Sequence, residues 1–338
     1  MKLCFCFWKI KNESAVEIAW LRLMRLFDQD NNSLSRSFCN SSSNLLDSFK
    51  KIRDNDYIVC ANIWQVFLTK VLILSLLSNA QIIYWVQGLV AEESFHKNKK
   101  KWRYFIFLLL ERLAFKISDK YIFVSEYMET FYKKRYRNLL NKDYISIPCI
   151  SDLRHNNVIS RIKNSYCYIG GMSSWQQFDL VIKLMNEVIE INNHAHFFIA
   201  TKGTQQCNKL LEKYASPILL ANTKIFYLEN KIDIENFLSS CEFGFLIRED
   251  IVLNHVASPI KLAEYLSCGV GIIGTDSLRS YTAQISNSGY LIKGKLFANK
   301  NIQEIASLIY DGEEKIISLY NDTFSIKSVS NYINNWPS

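Results

Sequence analysis

In the second half of the chain, short apolar runs alternate with longer stretches in which apolar residues recur every three or four positions. The runs are Tyr166–Ile169, His196–Ala200, Lys224–Tyr227, Phe243–Ile247 and Val270–Ile273. Between them, Gln176–Ile191, Gln205–Tyr214, Asp233–Ser240 and Pro259–Ser267 carry the helical pattern. Alternation of this kind predicts βαβ units on a parallel sheet. The first half has the same grammar more faintly. Strands are predicted at Leu3–Trp8, Tyr57–Ala61, Ile82–Val86, Tyr121–Val124 and Ile145–Pro148. Helices are predicted at Ala15–Phe27 (with Ser14 as N-cap), Val66–Leu77, Trp102–Ile117 and Glu126–Tyr136. Asp28–Ser48, rich in serine and asparagine, reads as a loop. The expected fold class is therefore α/β, with two Rossmann-like domains facing across a cleft and ligands at the carboxyl edges of the strands.

Glycine marks the boundary. Of 11 glycines only Gly88 precedes Gly170, so tight ligand-binding turns are expected in the second half. The polar stretch Asp152–Asn164 separates an expected domain 1–152 from one at 160–318, with 319–338 expected to pack back on the first.

A chain of 338 residues has length for about two domains. The 9 cysteines are odd in number and scattered, with no CxxC. Neither a disulfide framework nor a zinc site is expected, and a reducing cytoplasm fits. Met1–Trp8 lacks the basic and apolar regions of a secretory signal. The apolar runs Val66–Leu77 and Phe105–Leu110 fall short of the roughly 20 residues a spanning helix needs. A net charge of +8 is modest, and no nucleic-acid-binding signature occurs.

The segment Arg248–Asp276 carries the chemistry. A strand runs into a charged loop containing Asp250 and His255, then into a helix beginning near Ser258 and Pro259, read as N-cap and first helical residue. Lys261 places a cation in the first turn, where the helix terminus is already positive; that costs stability unless an anion binds. Glu264 lies one turn further on the same face, suited to ribose hydroxyls. An ordinary surface helix with a stray lysine accounts for these residues equally well.

The run Ser258-Pro-x-Lys261-x-x-Glu264-Tyr265-Leu266-x-x-Gly269, preceded by Arg248 and Asp250, resembles the donor-binding signature of GT-B glycosyltransferases. The resemblance is to the group-1/family-4-like enzymes of bacterial surface polysaccharide synthesis (capsule, O-antigen, lipopolysaccharide, exopolysaccharide). Tyr166–Ile182, Ser118–Met128 and Trp85–Glu93 resemble further pieces in the same order, and the likeness covers about residues 80–330. It implies transfer of a sugar from a nucleotide-diphosphate sugar to a hydroxyl of a saccharide, which may be lipid-linked, held by the first domain. By the same resemblance Glu264 holds the ribose and Lys261 and Arg248 neutralise the diphosphate. Gly170 and Gly171 admit the phosphates, and Ser258, Pro259 and Leu262 complete the donor set. Such enzymes use cations and helix dipoles, so no metal and no cofactor beyond the donor is implied. Candidate catalytic residues are Glu92, Glu93, Asp250 and His255. The sequence departs from the pattern at Val256, where family-4 enzymes often have a second glutamate, and at Ser173–Gln177, where an arginine and a lysine are common. Two other readings remain open here: a non-catalytic scaffold of a polysaccharide assembly complex, and a sugar-nucleotide epimerase of the same fold.

Lys97, Lys99, Lys100, Lys101 and Arg103 adjoin the aromatic stretch Trp102–Phe107, and Lys133, Lys134, Arg135 and Arg137 follow. Peripheral contact with an anionic membrane, on its cytoplasmic face, fits this pattern at about 1 kcal/mol per cation. A solvated helix end fits it too.

Overall fold

The computed structural model describes residues 2–7, 22–23, 35–40, 45–137, 142–172 and 174–333. The chain divides into two compact units. The first comprises the described residues up to Ile150, with Val256–Ser258 and the segment from Ile326; the second comprises Ser151–His255 and Pro259–Ser325.

In the first unit β1 (Lys2–Phe7), β2 (Ser35–Asn40), α1 (Leu45–Asp54), β3 (Tyr57–Cys60), α2 (Ile63–Ser75), β4 (Gln81–Val86), α3 (Val90–Asn98), α4 (Lys101–Ile117), β5 (Lys120–Phe123), α5 (Glu126–Arg135) and β6 (Tyr144–Ser146) follow one another. All six strands pair in parallel in the order β2-β1-β3-β4-β5-β6. Central strands such as β4, QIIYWV, are buried from Ile82 to Val86, the mark of a parallel sheet covered on both faces. Helix starts follow local chemistry. Asn62 accepts the Gln65 N–H at 3.0 Å ahead of α2, and Ser125 accepts that of Met128 at 3.1 Å ahead of α5.

Asp28–Ser48, expected as loop, contains β2 and the start of α1. SRSFCN is too polar to announce a strand, but β2 lies at the sheet edge and, among the described residues, pairs with β1 alone, where polar residues are tolerated. Val90–Asn98, for which the sequence predicts no element, is helix α3, with Glu92 and Glu93 in its first turn and His96 and Lys97 in its last. The helix expected at Ala15–Phe27 lies, apart from residues 22–23, outside the described residues.

The interior of this unit holds a charge. Glu111, wholly buried, accepts from Tyr132 (2.9 Å), Tyr136 (2.8 Å) and Arg135 (3.2 Å), and Arg135 also grips Glu92. Phe115, Tyr121, Phe123 and Tyr132 stack around it. The network joins α3, α4 and α5.

The second unit contains β7 (Ser165–Ile169), α6 (Phe178–Ile191), β8 (His196–Ala200), α7 (Thr204–Tyr214), α8 (Pro217–Ala221), β9 (Thr223–Phe226), α9 (Lys231–Ser239), β10 (Phe243–Leu246), α10 (Val252–His255), α11 (Ile260–Ser267), β11 (Gly271–Thr275), α12 (Thr282–Ser288), β12 (Tyr290–Ile292), α13 (Asn299–Ala306) and α14 (Glu313–Thr323). A last helix, α15 (Ile326–Ile333), belongs to the first unit. The six strands are again parallel, ordered β12-β11-β10-β7-β8-β9. The order reverses between β7 and β10, which makes their carboxyl ends the topological switch point. Tyr166, Phe178, Phe197, Phe243 and Phe245 fill the core beneath.

Arg161 staples this unit. It donates to the Cys241 carbonyl and, at 2.8 Å, to that of Cys268, while its guanidinium lies 4.8 Å from the Tyr310 ring centroid. Arg161→Ala leaves two carbonyls without these donors and should cost about 2 kcal/mol, read as a lower urea midpoint in equilibrium unfolding.

Candidate functional site at the β7–β10 switch point

Strand β7 ends at Ile169 and the chain turns through Gly170, whose φ of +132° disfavours any side chain. A Cβ there would also collide with Cε and Nζ of Lys261. The glycine is therefore the space into which Lys261 extends from the first turn of α11. Its amine donates to Gln176 Oε1 and stands 4.2 Å from the Tyr168 ring centroid. Tyr168 in turn donates at 2.7 Å to the same Gln176 oxygen, and its hydroxyl lies 2.6 Å from the Gly171 carbonyl oxygen.

Helix α11 is seated by Tyr265. Its ring lies so close to Gly244 of β10 that a Cβ there would strike it, and its hydroxyl accepts the Ile169 N–H at 3.2 Å. One residue thus ties α11 to both switch-point strands. Arg248 follows β10, and its backbone is pinned: Thr275 Oγ1 accepts its N–H at 3.0 Å and donates to its carbonyl at 3.1 Å.

The electrostatics are one-sided. Burial drives the Lys261 amine well below the ordinary lysine range, Arg248 pushes it the same way, and Glu264 opposes them. Burial also lowers Arg248, against the pull of the Tyr168 and Tyr265 hydroxyls. Among the described residues neither cation has a carboxylate within ion-pair distance. Two half-buried positive groups beside glycine backbone have the chemistry to attract a compact anion.

Gly170, Gly171, Arg248, Lys261 and Glu264 are thus brought together at one sheet edge. Three other expected members are not. Ser258 does not cap α11, because the chain is still extended at Pro259, which occupies the cap position. The Ser258 hydroxyl accepts the Cys149 N–H at 2.9 Å instead. The Ser-Pro start expected there occurs at α8, where Ser216 accepts the Leu219 N–H and Pro217 is the first helical residue. Leu262 is wholly buried, so it packs in the interior and not against a ligand. Sequence reading assigned no site role to Tyr168, Gln176 and Thr275 and gave Tyr265 only as part of the signature run, yet they shape the site, Tyr265 from 96 residues beyond Ile169 along the chain.

The catalytic candidates fall into separate groups. Asp250 and His255 hydrogen-bond at 2.6 Å, and Arg279 reaches Asp250 at 3.3 Å. The bond from His255 holds the Asp250 carboxyl below its usual range. Glu92 is committed to Arg135. Glu93 lies against Gly88, where a Cβ would meet its carboxylate. It still reaches solvent, yet the surrounding protein, then Glu111 and Glu92, push its pKa up to about 6. Among the described residues no group of three His, Cys, Asp or Glu side chains is arranged to hold a metal ion.

No protein-family model matches the chain, and no curated protein matches it in sequence. Solved structures do match. The apo form of the lipopolysaccharide outer core galactosyltransferase WaaB superposes with a TM-score of 0.66 at 11% identity, covering 99% of this chain and 98% of that one. The fold is GT-B. Anabaena Alr3699/HepE in complex with UDP-glucose shares it at a TM-score of 0.63 and 10% identity, covering 99% and 98% of the two chains. AviGT4, a glycosyltransferase involved in avilamycin A biosynthesis, does so at 0.63 and 8%, covering 98% and 96%. Within this GT-B chain, the switch point of the second sheet is where the two half-buried cations stand.

Two substitutions test the electrostatics without any ligand. Charged Lys261 is disfavoured in the fold, so free-protein stability should rise with pH between its depressed pKa and the ordinary lysine value. Lys261→Met should flatten that rise and stabilise the protein at neutral pH by about 1 kcal/mol, or about 2–4 °C in a thermal melt. For Glu93 the raised pKa disfavours the carboxylate. Stability is lost as pH rises from the model-peptide value of 4.5 through about 6. Glu93→Gln should remove that component, read as a smaller difference between melts on either side of the window.

Proposed function

We propose that this protein is a glycosyltransferase. It moves a sugar from a nucleoside-diphosphate sugar to a saccharide hydroxyl, without a metal, in the synthesis of a bacterial surface polysaccharide. The observation that carries the reading is the pair of half-buried cations, Lys261 and Arg248, at a glycine-lined switch point. The likeness in fold to HepE, solved with UDP-glucose, and to WaaB, a lipopolysaccharide galactosyltransferase, supports it.

In the proposed reaction the acceptor hydroxyl oxygen bonds to the anomeric carbon, the bond from that carbon to the diphosphate oxygen breaks, and the electron pair leaves on the diphosphate. Lys261 and Arg248 meet that developing charge at a half-buried site, where each is worth more than in bulk solvent. Gly170 and Gly171 let backbone approach the phosphates, and Glu264 takes the ribose hydroxyls. The acceptor proton goes to a carboxylate; Glu93 is the candidate, since a pKa of about 6 lies nearer neutrality than an ordinary glutamate's. The first unit holds the acceptor, a lipid-linked saccharide, with the protein resting peripherally on the cytoplasmic face of the membrane.

Thermal-shift screening against UDP, GDP, CMP, ADP and their sugar conjugates tests the donor site. One nucleotide family should stabilise the protein, by about 2.7 kcal/mol at a ligand concentration of about 100 Kd. That shift should vanish in Lys261→Ala and Glu264→Ala. Calorimetry in buffers of different ionisation enthalpy should show proton uptake on binding above the depressed Lys261 pKa, absent in Lys261→Met. A folded protein that no nucleotide stabilises would overturn the reading.

A further inference from the structure

Helices α2 and α4 carry apolar residues on their exposed sides as well as on their buried ones. On α4 the solvent-facing stripe is Trp102, Phe105, Ile106, Leu109 and Leu113, each 39–64% exposed, while Glu111 is turned inward and wholly buried. On α2, Trp64, Val71 and Leu74 face outward at 58–65% exposure, while the polar Gln65 and Thr69 are buried. The two helices pack against each other. A single exposed leucine needs no explanation, but rows of exposed apolar residues on two helices packed together do.

The exposed charges of the two helices have one sign. Lys101, Arg112 and Lys116 line the exposed side of α4, and Lys70 stands on α2. The only acidic residue in either helix is the buried Glu111. Beside the stripe a groove of about 550 Å³ runs over Phe105, Leu108 and Leu109, walled by Arg112, Arg135 and Arg137. Glu92 and Glu111 neutralise Arg135. Arg112 and Arg137 have no acidic partner among the described residues. The expected basic cluster is correspondingly redrawn, because Lys133 is engaged by Glu129 and Tyr144 and does not contribute.

We propose that the α2–α4 face lies in the surface of a bilayer bearing anionic phospholipids, with a headgroup phosphate in the Arg112–Arg137 groove. This rests on the membrane contact proposed above and names its surface; it does not depend on the donor. A second copy of the chain is the poorer occupant, since docking this face on itself sets like charges together with no acid to offset them. A membrane of mixed anionic lipid supplies both an apolar interior and the opposite charge.

Vesicle co-sedimentation of the full chain tests the assignment. It uses phosphatidylcholine vesicles and vesicles in which part of that lipid is replaced by phosphatidylglycerol, with wild type, F105S/L109S and R112E/R137E. Wild type should bind the anionic vesicles at least about tenfold better than the neutral ones, less so at high salt. F105S/L109S should lose about tenfold on anionic vesicles, and R112E/R137E should lose the preference between the two. The altered side chains lie at the surface, and unchanged circular-dichroism melts would establish folding. Quenching of wild-type tryptophan emission by acyl-brominated lipid, reduced in Trp102→Phe, gives a second readout. Vesicle binding indifferent to F105S/L109S and to Trp102→Phe would leave the membrane reading standing and remove this face from it. No wild-type binding to either vesicle would overturn both. A wild-type dimer in sedimentation that F105S/L109S separates would give the face to a second copy.

Discussion

The second unit is organised around an imbalance: Lys261 and Arg248 are brought into the same half-buried corner, with no carboxylate at ion-pair distance among the described residues. Desolvating two like charges is costly, and the surrounding chain only softens the cost. Gln176 supplies an oxygen to the amine, and the Tyr168 ring supplies a negative π-face. Gly170 gives the space, and Tyr265, lying flat on Gly244, fixes the distance between α11 and the strands. Each of these residues makes sense as a support for the cations, and much less sense without them.

The first unit handles buried charge in the opposite way. Glu111 is given an arginine and two tyrosine hydroxyls, and Arg135 is shared with a second glutamate. Every partner in that network is another part of the same fold, so it serves as a joint between helices. The contrast is between a charge paired within the architecture and one left without a carboxylate partner among the described residues.

The alternation of strands and helices was legible because buried parallel strands are continuous apolar runs, which is why β7, β8, β9, β10 and β11 lie within a few residues of their expected places. Edge elements were not, because the pressures that make strands apolar are weakest there, as SRSFCN in β2 illustrates. At the site, Lys261 and Glu264 were readable from helical spacing. Gln176 was not, since it lies 85 residues from the amine that it holds. Glu92 looked available because Arg135, its partner, lies 43 residues away. Local chemistry such as the Ser-Pro helix start was correct as physics but was realised at Ser216 and not at Ser258.

Glu111 has one more consequence, for a helix on which it occupies a single position. Rolling α4 about its axis far enough to hide Phe105 and Leu109 would pull this carboxylate away from Tyr132, Tyr136 and Arg135 and drag Ala114 and Phe115 into water. The inner side of the helix therefore acts as a latch on its outer side. The oily surface cannot be tucked away by a small rotation, and it stays on display for as long as the unit remains folded.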